Sequence, residues 1–353
     1  MTFALPSLQD LGHLPFDTLI DTRSPAEYAE DHIPGAINLP VLSNEERARV
    51  GTIYTQESPF LARKIGGALV ARNIAAHLDG PLADHDGAWQ PLIYCWRGGQ
   101  RSGAFTLWLR EVGWRAEKLA GGYRAYRRAI VAQLYDTTVP HRILLLDGNT
   151  GTAKTELLQR VARLGGQVLD LEGLANHRGS VLGLRPGGQP SQKMFETRIS
   201  AALAGMDPEQ PVLVEAESSK VGDLLVPPAL WLAMRAAPRV QLHATPQDRV
   251  RYLCRAYADL FADLPLFKER LALLTPMQGR ARIAEWHGWA EAGDFPRLVA
   301  DLIDRHYDAR YANKRDAGRE GATPLSVSLD DAGLDRAAAA LVSHMAGDAP
   351  LRS

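Results

Sequence analysis

The stretch from Arg142 to Gly165 leaves a folding chain the fewest options. An apolar run, Ile143-Leu144-Leu145-Leu146, enters the turn Asp147-Gly148-Asn149-Thr150-Gly151-Thr152-Ala153, and Lys154-Thr155 then open an amphipathic pattern that stops at Gly165-Gly166. A strand that passes into a helix through such a turn aims backbone N–H groups and the positive helix end at one point. Gly148 to Thr155 therefore read as a phosphate-binding loop: the amides of Gly151 to Thr155 cradle a phosphate chain, Lys154 reaches the outer phosphates and Thr155 offers a hydroxyl to Mg2+. Ala153 departs from the pattern, because a glycine normally precedes the lysine. The reading expects Ala153 in the helical conformation that begins there, with its methyl crowding the phosphate side.

A second apolar run, Pro211-Val212-Leu213-Val214, ends in Glu215-Ala216-Glu217. An acidic residue at such a strand end faces the metal of a phosphate loop, so Glu215 joins Thr155 as a candidate Mg2+ ligand, and Glu217 alternates onto the same face. A surface carboxylate pair is the alternative. Between these runs, Asp170 to Ser180 is too polar for core and reads as a binding loop, with His177 and Arg178 candidates for substrate or a second phosphate. A solvated loop would look the same.

The other chemistry-bearing segment is Cys95-Trp96-Arg97-Gly98-Gly99-Gln100-Arg101-Ser102, directly after Pro91-Leu92-Ile93-Tyr94 and before a helical pattern near Gly103. A thiol at a strand end, facing glycine amides and a helix N-terminus, is favoured as thiolate. Trp96 to Arg101 thus form an anion loop, with Arg97 and Arg101 adding charge and Gly98-Gly99 turning amides inward. Plain burial of a core cysteine is the alternative. Upstream, Leu19 to Tyr28 reads as a strand ending in a helix with Ser24 at the N-cap, Pro25 first and Glu27 closing a capping box.

With Asp21-Thr22-Arg23, His32-Ile33-Pro34-Gly35-Ala36 and Gly121-Gly122-Tyr123, residues 5 to 135 resemble the rhodanese sulfurtransferase domain. In that family the loop cysteine carries a persulfide or related chalcogen, and Asp21, Arg23 and His32 are scaffold. The two halves joined in one chain resemble the tRNA 2-selenouridine synthase family, through Asn44-Glu45-Glu46-Arg47, Val50 to Tyr54, Ser58-Pro59-Phe60, the Cys95 run, Gly148-Asn149-Thr150-Gly151, Asp170 to Ala175 and His177-Arg178-Gly179-Ser180. The resemblance implies exchange of sulfur for selenium in wobble 2-thiouridine of tRNA, with selenophosphate as donor and an S-geranylated intermediate made from geranyl diphosphate. Cys95 would then be a selenium carrier in a perselenide-like state or the nucleophile that accepts the departing sulfur. No tightly bound cofactor is implied beyond Mg2+.

The expected fold is α/β: a rhodanese-like parallel sheet with helices on both faces over residues 1–135, then a P-loop NTPase-like α/β domain with a helical C-terminal part over residues 136–353. Strands near 17–21, 36–39, 91–95 and 116–120 alternate with helical patterns, and a second series falls near 142, 167–171, 211–215 and 239–243. Residues 134–140 read as the connector, Trp286 to Tyr307 as helical packing and 315–323 as a loop. A length of 353 residues with 46% hydrophobic content suits two cores.

Net charge is −1, which excludes a uniformly basic nucleic-acid binder. Basic residues nevertheless outnumber acids locally, so Arg124, Arg127, Arg128, Arg249, Arg251 and Arg255 are candidate RNA contacts, with Trp96, Tyr123, Tyr126 and Tyr252 as stacking rings. Solvated helix faces are the alternative. Cys95 and Cys254 are too few for a disulfide framework and suit a reducing compartment, with Cys254 read as packed in a helix. No charge-free apolar stretch of membrane length and no leader pattern occurs, so a cytoplasmic protein is expected. Two rival readings from other classes are a general sulfurtransferase fused to a small-molecule kinase, and a regulatory module in which Cys95 senses oxidants and the phosphate loop reports nucleotide.

Overall fold

The computed structural model describes residues 2–5, 7–180, 182–183, 185–309, 321–348 and 351. Most of the loop expected over 315–323 lies outside them. Two compact units emerge. One comprises residues 1–137 together with 190–205, the other 138–189 and 206–353. A single division after residue 135 does not contain that return of 190–205, which forms the helix Gln192–Ala204.

The first unit is built on five parallel strands: β1 (Thr2–Phe3), β2 (Thr18–Asp21), β3 (Ala36–Asn38), β4 (Pro91–Tyr94) and β5 (Glu117–Leu119), in the order β1-β5-β4-β2-β3. All but β1 were legible as apolar runs. Helix α1 (Pro25–Glu30) starts at Ser24, whose backbone N–H donates to Glu27. Ile20 and Ile93 of the central strands pack with Phe105, Leu109, Trp89 and Trp114 in the core. Arg23 and Asp21 are buried scaffold, as expected: the guanidinium holds the carboxylate at 2.6 Å and lies over the Tyr123 ring. His32 is likewise tied to the backbone, its Nδ1 2.9 Å from the Tyr28 carbonyl.

Helix Gln192–Ala204 belongs to this unit through buried polar contacts. Glu196 is paired with Arg127 and accepts from the Tyr135 hydroxyl, while Thr197 donates to Asp31.

In the second unit β6 (Ile143–Gly148), β7 (Gln167–Leu169), β8 (Val212–Glu215), β11 (Arg239–His243) and β12 (Thr323–Ser326) form a parallel sheet ordered β12-β11-β6-β8-β7, and β9 (Lys220–Val221) pairs antiparallel with β10 (Leu224–Leu225). Strand β12 and the small hairpin were not read from sequence. Leu144, Leu146, Leu213, Val240 and Leu242 pack with Leu157, Leu158 and Val161 of the helix after β6. A separate helical core centres on Trp286, Phe267 and Leu271, confirming the packing role of the C-terminal aromatics. Among the described residues no helix is long and apolar enough to cross a membrane.

Candidate functional site

In the first unit, β4 delivers Cys95 to the N-terminus of helix α2 (Gln100–Val112). The thiol is buried; the Gly99 N–H donates to Sγ at 3.3 Å and Ser102 Oγ lies 3.1 Å away. Two carbonyls of the loop are fixed from α3 (Gly122–Val131): Tyr123 N–H donates to the Cys95 oxygen and Arg124 N–H to that of Trp96, both at 2.9 Å. That approach demands glycine at 122, where a Cβ would sit 2.2 Å from the Cys95 oxygen at a φ of +56°.

Arg97, Gln100 and Trp96 are exposed. Arg101 differs from expectation. Its guanidinium is 2.7 Å from Glu27, which also pairs with Arg47 at 2.8 Å. Burial alone would raise the Glu27 carboxyl, but the Arg101 hydrogen bond and charge, with Arg47 and the Ser24 amide, bring it down to about 2. Arg101 therefore anchors the loop to α1, and Arg97 is the loop arginine left facing solvent.

In the second unit, β6 runs through Gly148 to Thr155 into α4 (Lys154–Arg163), as the sequence required. Lys154 Nζ donates to the Gly148 carbonyl at 3.1 Å, closing the loop around the space a phosphate would fill. The expectation for Ala153 is corrected. It takes the left-handed conformation, φ +60° and ψ +29°, and its side chain is buried in the core cluster with Leu157 and Leu158. The loop keeps its glycine-type path without the glycine.

Arg249 also needs correction. It is buried on α6 (Pro246–Ala256), donates to the Thr150 carbonyl at 2.9 Å and grips Asp308 with two bonds of 2.8 and 2.9 Å, while Asn149 Nδ2 donates to the same carboxylate. It braces the phosphate loop and presents no charge to RNA. Arg127 is withdrawn for a similar reason, being paired with the buried Glu196. Tyr123 and Tyr126 are buried and do not offer stacking faces. Arg124, Arg128, Arg251 and Arg255 remain exposed, Arg251 with an ion pair to Asp248 and Arg255 near Glu156 and over Tyr252.

Sequence reasoning placed Thr155 and Glu215 together but missed Glu172. Short helix α5 (Leu171–Leu174) brings it beside them: Thr155 Oγ1 donates to Glu172 at 3.0 Å, and the Glu172 N–H donates to Glu215 Oε1 at 2.6 Å. Oxygens of Glu172, Glu215 and Glu217 all lie within 4.8 Å of one another. Glu215 is fully buried, and its Oε2 has no partner among the described residues. Burial and then the charge of Glu172 push Glu217 up to about 8, although Lys154 opposes the rise. Burial, then the charges of Glu172 and Glu217, also raise Glu215 well above the carboxylate range. Three acids crowd a space in which Lys154 is the cation that acts on Glu172 and Glu217, an excess of negative charge that fits a divalent cation. Asp170-Leu171-Glu172 within the polar 170–180 segment was the available signal.

His177 and Arg178 part company. His177 is buried and its Nδ1 accepts from the Gly179 N–H at 3.0 Å, so it shapes the turn. Arg178 lines the cavity over the phosphate loop, but two bonds of 2.6 and 3.1 Å commit it to Asp259. The cavity, about 930 Å³, is walled by Gly148, Thr150 to Thr155, Glu172, Glu217 and several cations. Thr150, Leu253, Tyr257 and Tyr307 also border a narrow apolar cleft with Phe261, Phe267 and Leu302. Cys254 is a free, half-buried thiol that burial pushes up, consistent with packing.

Two family models match the chain, a rhodanese-like domain over residues 6–129 and a tRNA 2-selenouridine synthase AAA domain over residues 141–272. A tRNA 2-selenouridine synthase of Aeromonas salmonicida (strain A449) is 37% identical over 258 residues, covering 72% of this chain and 68% of its own. Relatives of the same name are similar over more of the chain. That of Pseudomonas fluorescens is 33% identical over 85% of this chain and 89% of its own, and that of Cupriavidus pinatubonensis 35% identical over 81% and 77%.

Proposed function

The chain belongs to the tRNA 2-selenouridine synthase family, and from that premise we propose that it replaces sulfur by selenium in wobble 2-thiouridine of tRNA, with selenophosphate as donor, through an S-geranylated intermediate made from geranyl diphosphate. One observation carries the reading: a thiol held in an amide-lined loop and a phosphate loop opening on a large cavity occur in the same chain.

The chemistry assigns each part a task. Sulfur on C2 of a uracil leaves poorly until it is alkylated. In the alkylation the thiouridine sulfur attacks C1 of geranyl diphosphate, the C1–O bond breaks, and diphosphate departs with the electron pair. Loop amides and Lys154 are suited to absorb that charge. Leu253, Tyr257 and Tyr307 give the cavity itself an apolar side against which a short hydrocarbon chain would lie. Thr155, Glu172, Glu215 and Glu217 would hold Mg2+, which when bound supplies charge neutralisation for the leaving diphosphate. In the later exchange the Cys95 thiolate would attack C2 and the geranyl thiolate would leave with the electron pair; the selenium of selenophosphate would then attack C2 and return the Cys95 thiolate, and water would cleave the Se–P bond to release phosphate, with no change of oxidation level at any step. Exposed Arg97 and the Gly99 amide, which donates to the Cys95 sulfur, would receive an anionic chalcogen.

Mass spectrometry of nucleosides from bulk tRNA tests this in cells supplied with selenium. Cells lacking the chain should lose the selenium-containing wobble uridine; Cys95→Ser should block its formation, and Lys154→Ala should lower it at least ten-fold. Full selenation in either variant would reassign that site, and unchanged nucleosides on deletion would reject the activity. ATP turnover without any RNA requirement would favour the kinase-fused sulfurtransferase.

A further inference from the structure

The cavity over the phosphate loop is larger than one phosphate requires, and besides Lys154 its wall holds two cations without an ion pair among the described residues, the exposed Lys220 and the half-buried Arg185. Of the three arginines there, Arg178 is bound to Asp259 and lies over Tyr257, and Arg239 pairs with Asp147 at 3.4 Å. Among the described residues Arg185 makes no ion pair, and its buried Nε has no hydrogen-bond acceptor. A buried guanidinium N–H without an acceptor is unfavourable, so the arrangement gains most from an anion that arrives with a ligand. Its position supports this. Arg185 lies in the loop that follows His177, between Gly183 and Gly187-Gly188, and its side chain borders the same space as Lys154 and Thr155.

We propose that Arg185 is the second anion contact of this cavity, and that the cavity takes a diphosphate ester rather than a single phosphate. The inference rests on reading Gly148 to Thr155 as the phosphate loop, and it is independent of the role of Cys95. The loop amides and Lys154 suffice for one phosphate group. A planar guanidinium in the cavity wall matches two oxygens of a second group in a way a lysine does not. The remaining volume, about 930 Å³ in all, and the apolar border of Leu253, Tyr257 and Tyr307 leave room for an organic remainder. Selenophosphate, with a single phosphorus, would leave Arg185 unpaired.

Calorimetric titration of the full chain in Mg2+ with inorganic diphosphate, and separately with inorganic phosphate, tests the assignment. Arg185→Ala should weaken diphosphate at least ten-fold and leave phosphate within two-fold, and Arg185→Lys should recover only part of the loss. Equal loss of both anions, or undiminished diphosphate binding, would overturn it; so would wild-type protein that binds phosphate as tightly as diphosphate. Lys154→Ala serves as the contrast, because it should weaken both anions. Competition identifies the ester. Displacement of diphosphate by geranyl diphosphate but not ADP supports the alkylation reading, whereas displacement by ADP alone sinks that reading and leaves the Arg185 assignment standing.

Discussion

The carboxylates beside the two reactive loops have opposite fates. Glu27, next to the cysteine loop, sits among Arg101, Arg47 and the Ser24 amide, which together bring its carboxyl down to about 2. Glu215 and Glu217, next to the phosphate loop, face each other and Glu172 in a buried space, and Glu217 is pushed up to about 8, burial being the larger cause. The first site has its charges balanced by the protein itself. The second sets Lys154 against three crowded carboxylates, and a divalent cation would complete its balance. Chemistry at a thiol needs a fixed, preformed loop, whereas a pocket for a highly charged ligand stores unfavourable electrostatics that binding relieves.

Neutralising one acid at each site should break the symmetry most plainly. Glu27→Gln leaves Arg101 half-buried beside Cys95 without its carboxylate, and should destabilise the first unit by about 2 kcal/mol. Glu215→Gln removes a carboxyl whose ionised form is opposed by burial and by Glu172 and Glu217, while its amide oxygen can still accept from the Glu172 N–H, so it should stabilise the cation-free protein by about 1 kcal/mol. The same substitution should remove most of the thermal shift produced by Mg2+. Urea unfolding with and without Mg2+ reads both effects. Equal destabilisation by the two variants would mean that the second cluster is already compensated.

The comparison also sets opposite pH slopes. Glu27 titrates lower in the folded chain than its ordinary value of about 4.5, so its contribution is complete above that pH and is lost as pH falls toward about 2. Glu217 titrates higher, so between about 4.5 and about 8 the folded chain retains a proton the unfolded chain has released, and stability declines as pH rises through that window. Divalent cation should flatten the second slope and leave the first untouched. Urea midpoints from pH 3 to 8.5, with and without Mg2+, would show this, and a cation-free midpoint that stays level from pH 5 to 8 would contradict it.

Which features could be read in the sequence follows from how local they are. Cys95 to Ser102 and Gly148 to Thr155 are contiguous, and strand-to-helix geometry places their amides without help from distant residues. Glu172 became visible only when α5 brought it to Thr155 and the end of β8. Arg249 was misread because a basic residue on an amphipathic helix looks the same whether it meets water or a carboxylate; its partner Asp308 is far along the chain. The return of Gln192–Ala204 to the first unit was invisible too, since a helical pattern of buried positions states that a core is near without saying which. Strand β12 follows residues outside the described structure, and four residues carry little periodicity of their own.

The smallest expected effect concerns Ala153, where a local rule was broken. A left-handed alanine costs roughly 1–2 kcal/mol relative to a helical one, and glycine would remove that cost. Two terms oppose the gain. The Ala153 methyl is buried against Leu157 and Leu158, worth about 0.8 kcal/mol, and glycine gives the unfolded chain back about 0.4–1 kcal/mol of entropy. Ala153→Gly should therefore move stability by less than about 1 kcal/mol in either direction. Because the methyl packs into the core cluster, diphosphate affinity should change less than two-fold. A ten-fold gain in affinity would show that the methyl does crowd the phosphate, and the phosphate loop would then be less complete in the ligand-free protein than its hydrogen bonds suggest.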